Sequence, residues 1–478
     1  MSLEPQIPNR LVASRAPQLL IIGGSDAGIL AALRAREVNA SWQVTVVVAD
    51  AYPNFSICGL PYFLSGDVPD WRSLAHRTRA DIEALGIRLL LNHTALHIES
   101  ASKVVTVRDA TGAHTTLAYD RLIVGTGARP KLPAIQGLDL EGVFALHTMD
   151  DSFALHRFLS ERAPQRAVIV GAGYIGLEMA EALSSRGIGV TLLQRGPHIH
   201  PSVDPAFGAL LADELARHGV TVRTGARVTR IERDPRAAEA LTVIGEDDIE
   251  ETADLVLVAT GVQPVTELAE AAGVRLGPSG AIQVTRAMET NLPDIFAAGD
   301  CVETLHQLLP APTYLPLGTT AHKQGRIAGE NAVGGRRLFA GSVGTQVVKV
   351  CDLVVARTGL LESEARAAGF DPLTAEAPTW DHKVYYPHAQ ELRVRLTADR
   401  GTSRIIGAQL LGHWGSEVAK RIDIMATALY QELRVDQLND LDLSYTPPLS
   451  SPWDPVQMAA QVWLQVHGTS FDTSQLTS

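Results

Sequence analysis

Ala167-Val-Ile-Val-Gly-Ala-Gly-Tyr-Ile-Gly176 decides the fold of this chain. Its apolar opening reads as a short buried strand, and Leu177-Glu-Met-Ala-Glu-Ala182 has the composition of a helix. Between them, Gly171 permits a tight turn and Gly173 lets a pyrophosphate approach the backbone. Gly176 lets helix and strand pack closely, and the helix N-terminus faces the phosphates. An isolated G-x-G-x-x-G carries little weight; one set between a strand and a helix points to a bound dinucleotide. Leu19-Leu-Ile-Ile-Gly-Gly-Ser-Asp-Ala-Gly28 repeats the design, with Ser25 where the second glycine is expected. Val44–Val48 and Val190–Leu193 supply the second strand of each βαβ unit, so the fold class is α/β with two parallel, doubly wound sheets.

An acidic residue about 20 positions past such a loop accepts both hydroxyls of an unphosphorylated ribose. Asp50 is the candidate after the first unit, although the strand end itself falls at Val48. After the second unit the strand ends in Gln194-Arg195, with no carboxylate and with His198 and His200 following. An arginine in place of the acid suits a 2′-phosphate, so NADPH is the expected donor, with NADH as the alternative.

The rest of the composition narrows the classes. A chain of 478 residues needs two or three domains, and 46% apolar with 20% charged residues is ordinary for a globular protein. A net charge of −12 disfavours nucleic acid and anionic lipid as partners. No apolar run is long enough to span a membrane, and residues 1–17 lack a signal-peptide core, so a cytoplasmic location is expected. The three cysteines, Cys58, Cys301 and Cys351, do not make a disulfide framework, and no metal site is expected. From about Gly344 the pattern changes. Val347–Ala356, Glu391–Leu396 and Ile405–Leu411 read as antiparallel strands, and Val418–Leu433 as an amphipathic helix.

Six segments in order resemble the pyridine nucleotide–disulfide oxidoreductases. Phe55-Ser-Ile-Cys-Gly-Leu-Pro-Tyr62 is similar to their single-cysteine signature, in the branch of coenzyme A-disulfide reductases and NADH oxidases. Tyr119–Gly127 and Thr290–Asp300 resemble the strand before the NAD domain and the second FAD motif. Lys420-Arg-Ile-Asp423, Leu443-Ser-Tyr-Thr-Pro-Pro448 and Trp453-Asp-Pro455 resemble the dimerisation domain. The resemblance implies an FAD-binding domain over 1–147 and 281–343, an NAD(P)-binding domain over 148–280 and a dimerisation domain over 344–478. It implies FAD contacts at Gly23, Gly28 and Asp300, joined by Asp50, Thr126 and Gly127. Nicotinamide-cofactor contacts are implied at Gly171, Gly173, Gly176, Glu178 and Gly261, joined by Gln194 and Arg195. Tyr174 matches an aromatic gate over the flavin.

Cys58 lacks the C-x₄-C partner of two-cysteine relatives, because residue 63 is Phe. A single thiol stores oxidation as a mixed disulfide, a persulfide or a sulfenic acid. Gly59-Leu-Pro61 is expected to open a helix whose positive end favours the thiolate, while Cys301 and Cys351 are expected to be buried and structural. Tyr385, Tyr386 and Tyr445 match segments that supply active-site hydroxyls across a homodimer interface. Two departures matter. Asp26 stands where oxidase and peroxidase relatives carry histidine. Asn54, Ile57 and Glu37 replace residues that touch coenzyme A, although Arg34 and Arg36 lie near Glu37. The expected activity is FAD-dependent, NAD(P)H-driven reduction of a disulfide, a persulfide or a coenzyme A-type thiol derivative through Cys58. The alternatives are an NAD(P)H oxidase acting on oxygen or another small acceptor, and a redox-sensing or electron-transfer flavoprotein.

Overall fold

The computed structural model describes residues 15–468 apart from 236, 238 and 239; residues 1–14 and 469–478 of the expected domain ranges lie outside it. Gln18–Ile22 is the central strand of a five-stranded parallel sheet, flanked by Gln43–Val47 and Arg121–Val124. Ile87–Leu90 and Ile295–Ala297 form its edges. Its strands are near-continuous runs of Leu, Ile and Val because helices and the antiparallel Thr94–Ala118 layer cover both faces. Arg166–Val170 heads an equivalent sheet with Gly189–Gln194, Thr221–Thr224, Leu255–Val258 and Val143–Phe144, again all parallel.

The second unit is inserted into the first. Its entry strand, Ala128–Pro130, pairs antiparallel with its exit strand, Val262–Pro264. The crossing therefore lies N-terminal to both expected boundaries, 147/148 and 280/281. Val143–Phe144 already belongs to the second sheet, and Glu267–Ala271 packs back on Thr94–Glu99 of the first unit. A pairing between segments so far apart in sequence leaves no local pattern to read.

The C-terminal region is an antiparallel sheet ordered Gln346–Val350, Leu353–Gly359, Ile405–His413, Glu391–Asp399 and Pro372–Trp380. The expected single strand over 347–356 is a hairpin: Cys351, at φ +52°, and Asp352 turn the chain. The unread strand Pro372–Trp380 tolerates Pro372 and Pro378 because it is an edge. The helix at 418 runs to Tyr430, slightly short of Leu433. With Pro455–His467 it buries Ile422, Met425, Val456 and Trp463 against this sheet.

Candidate active site

Both glycine loops have the geometry a dinucleotide needs. Gly28 opens the Asp26–Val38 helix so close to the strand that a Cβ there would meet Gly23 O at 1.9 Å. Gly176 repeats this against Gly171 O, also at 1.9 Å. A Cβ on Gly173, by contrast, would meet nothing within 4 Å, which leaves the N-terminus of the Tyr174–Ser185 helix approachable by phosphate.

At the first loop, Asn54 donates its backbone N–H to Gly24 O (2.8 Å) and sits at φ +60°. Its side chain is 1% exposed, yet neither amide atom has a hydrogen-bond partner. A buried primary amide without partners costs about 1–3 kcal/mol, and a bound polar ligand would relieve it. Asp300 follows the edge strand Ile295–Ala297 and is delivered beside the same loop. Burial, then the charge of Asp26, pushes its carboxyl up to about 6. These groups fit FAD, which Gly23, Gly28 and Asp300 would hold.

The strand-end position has lost its acid: a Cβ on Gly24 would strike the Val48 methyls at 2.6 Å. Asp50 uses Oδ1 to accept the Tyr52 N–H (2.8 Å), which leaves Oδ2 for a ribose. Thr126, Gly127 and Gly261 fall at the crossing between the units. The Thr126 hydroxyl donates to Val265 O (2.5 Å), Gly127 O accepts the Val265 N–H, and Gly261 O accepts the Lys131 N–H.

At the second loop Gln194 Oε1 accepts the Ala172 N–H (3.1 Å), so Gln194 shapes the turn. Arg195 is exposed and makes no ion pair with the described residues. The Tyr174 ring stands edge-on to His200, and its hydroxyl donates to Gln346 Oε1 (2.6 Å) on the C-terminal sheet. Any gating motion has to break that bond. His200 is buried, and its pKa falls to about 4, so the imidazole facing Tyr174 is neutral.

Cys58 lies in a 3₁₀ turn, Ile57–Gly59, ahead of the short helix Leu60–Ser65, which is anchored beneath by Leu60, Phe63 and Leu64. It is the one solvent-exposed cysteine; Cys301 and Cys351 are buried. The expected thiolate-favouring helix end meets an opposing influence. Protein crowds the thiol on its other sides, and that burial pushes its pKa up, followed by the charges of Glu178, Asp26 and Asp300; its own backbone N–H opposes them weakly. Glu178 is itself raised to about 7, by burial and then by Glu181 one turn on. Asp26 pairs with His322 at 3.0 Å. The acidic surroundings of Cys58 come from three segments remote in sequence and are not legible in any one of them.

The tyrosines stand apart from this group within the subunit. Tyr385 and Tyr445 interact electrostatically, and Lys383 N donates to Pro447 O (3.3 Å), so the two segments form one exposed patch. Tyr386 is exposed beside them. The basic residues near Glu37 are engaged elsewhere. Arg34 holds Glu330 (2.6 Å) and Glu37 (3.0 Å), and Arg36 donates to the carbonyls of Leu85, Ala40 and Trp42.

Two dinucleotide loops around one accessible cysteine define an FAD- and NAD(P)H-dependent oxidoreductase. The family model described as "Pyridine nucleotide-disulphide oxidoreductase" matches residues 17–325, and its dimerisation-domain model matches 345–455, so the chain belongs to that family. It is 36% identical to the "NAD(P)H sulfur oxidoreductase (CoA-dependent)" of Pyrococcus abyssi, covering 93% of this chain and 97% of that one. It is 31% identical to an "NADH oxidase" of Methanocaldococcus jannaschii, over 92% and 97%. The solved "NAD-Dependent Persulfide Reductase from A. fulgidus" superposes with a TM-score of 0.90 at 38% identity, covering 94% of this chain and 84% of that one. No helix among the described residues is long and apolar enough to cross a membrane.

Proposed function

We propose that the chain reduces a sulfur–sulfur bond with electrons from NAD(P)H, and that Cys58 is the residue that holds the substrate sulfur. The observation that carries this is the exposure of Cys58 alone among three cysteines, beside carboxyls whose pKa values stand near 6 and 7. Bound FAD supplies the two-electron chemistry that links the nicotinamide to sulfur. Cys58 as thiolate attacks the disulfide or persulfide, one thiol or hydrosulfide leaves, and the other sulfur stays as Cys58–S–S–R. Two electrons and one proton then release that sulfur and restore the Cys58 thiolate. Because Glu178, Asp26 and Asp300 all oppose the thiolate, its formation is favoured when these carboxyls are neutralised.

The substrate class we infer is a persulfide or a small disulfide. Arg34 and Arg36 are occupied, so neither is free to meet a coenzyme phosphate. Gly171, Gly173, Gly176 and Glu178 hold the nicotinamide cofactor, and the exposed Arg195 favours NADPH. The Tyr385–Tyr445 patch reaches the Cys58 site of a second copy in a homodimer, where a phenol donates a proton to the leaving thiolate.

Intact-mass analysis before and after thiol treatment tests this. Loss of one sulfur atom, or of a small thiol, on Cys58 is expected; loss of a coenzyme A-sized group would reject the small-substrate assignment. Cys58→Ser should abolish persulfide and disulfide turnover. Undiminished turnover in that variant removes Cys58 from the reaction and leaves reduction of oxygen, the activity named for the Methanocaldococcus relative, as the reading to pursue.

A further inference from the structure

We propose that Glu214, His218 and Cys351, with Asp352 beside them, form a site for one divalent metal ion, zinc by its donor set, which clamps the second nucleotide-binding unit to the C-terminal sheet. Glu214 lies in the last turn of the Pro205–Arg217 helix, and His218 caps it, so at i and i+4 their side chains share one face. Cys351 and Asp352 are the two residues of the hairpin turn between Gln346–Val350 and Leu353–Gly359. The ligand atoms of Glu214, His218 and Cys351 all lie within 4.8 Å of one another. His218 Nδ1 is 3.5 Å from Glu214 Oε1 and 3.1 Å from the Glu214 carbonyl oxygen, while Nε2, on the far side of the ring, is 3.5 Å from Asp352 Oδ2; the ion takes one ring nitrogen, and Asp352 lies beside the three-residue group. Bonds of about 2.0–2.3 Å to a central ion need ligand atoms roughly 3.3–3.8 Å apart, so a small contraction of the side chains closes the site.

Two further observations point inward. Cys351 is 7% exposed, and its thiol makes no hydrogen bond with the described residues. Glu214 is fully buried. Its Oε1 accepts the Asp352 N–H (2.8 Å), but Oε2 has no hydrogen bond of acceptable geometry and faces only the Arg217 guanidinium, at 2.5 Å. The turn is held from behind, where Glu181 Oε2 accepts the Cys351 N–H (2.8 Å) and Glu181 pairs with Lys349. Hence the backbone that presents the thiol is already in place.

Thiolate, imidazole and carboxylate together select zinc over magnesium or calcium, which take oxygen ligands. Binding replaces a proton: Cys351–SH and M²⁺ give Cys351–S⁻–M²⁺ and one H⁺ released to solvent, with no change of oxidation state. An ion bonded to both elements fixes the hairpin on the helix end.

Flavin-loaded protein without a purification tag, stripped with a chelator and dialysed against Zn²⁺, provides the test. About one zinc per subunit is expected in wild type and in Cys58→Ser, which separates this site from the redox thiol. His218→Ala, at a half-exposed position that tolerates truncation, should weaken zinc at least about tenfold, and Cys351→Ser should abolish it. Should Cys351→Ser fail to fold, Asp352→Asn takes its place, with weakened binding expected. Cobalt substitution should give a thiolate-to-metal absorption band that is absent from Cys351→Ser. Zinc should raise the thermal midpoint of wild type and leave that of His218→Ala unmoved. Wild type binding no more zinc than His218→Ala, or zinc that disappears with Cys58, overturns the proposal.

Discussion

Replacing Glu178 with glutamine keeps the shape of the side chain and removes the charge that most raises the Cys58 thiol after burial itself. Two like charges several ångströms apart at a partly solvated site repel by about 1 kcal/mol, a figure already discounted for the water that reaches Cys58. That corresponds to about a fivefold change in thiolate fraction at a pH below the thiol pKa. A more acidic thiolate is a weaker nucleophile, with a Brønsted slope of roughly 0.4–0.5, so alkylation should quicken only about two- to threefold. The sign depends on pH. Glu178 titrates at about 7, so in wild type it is neutral well below that value and charged above it. The variant-to-wild-type rate ratio should be near one at pH 5.5 and reach two to three by about pH 8.5, still below the raised thiol pKa. The assay is iodoacetamide labelling of the reduced enzyme, with the Cys58 peptide followed by mass spectrometry and the buried Cys301 and Cys351 peptides as slow references. A ratio that does not rise between pH 5.5 and 8.5 refutes the electrostatic account of the site.

Gly176→Ala forces a Cβ to within 1.9 Å of the Gly171 carbonyl, so the second loop must open. The KM for the nicotinamide cofactor should rise at least about tenfold and stability should fall by about 1–3 kcal/mol, while flavin content measured by absorbance stays at wild-type level. Arg195→Ala should lower kcat/KM for NADPH by roughly ten- to hundredfold and leave NADH nearly unchanged; a wild type that prefers NADH tenfold would contradict this assignment. Trp414 and Leu449, 61% and 64% exposed, are large apolar side chains of the C-terminal region that a second copy would cover. Sedimentation should show a wild-type dimer and a monomer-shifted Trp414→Glu/Leu449→Glu variant, and an active wild-type monomer would reject the shared site.

The two glycine loops, the strands that precede them and the segment around Cys58 were legible in sequence because each is a local device. A tight turn, a helix start and a close backbone approach each require a particular residue at a particular step of the chain. The order of such segments was enough to mark the family, and the C-terminal change of pattern marked the third sheet. What surrounds Cys58 was decided only by folding. Asp26, Glu178 and Asp300 come from different segments, and burial together with their converging charge pushes the Cys58 pKa up, against the expected lean toward thiolate. The same holds for the Cys351–Asp352 turn, read as the middle of a strand, and for its meeting with Glu214 and His218 from the helix of another unit. Backbone conformation follows from short-range sterics and periodicity, whereas desolvation and Coulomb energy depend on separations in space. No spacing along the chain contains those separations until the sheets have packed.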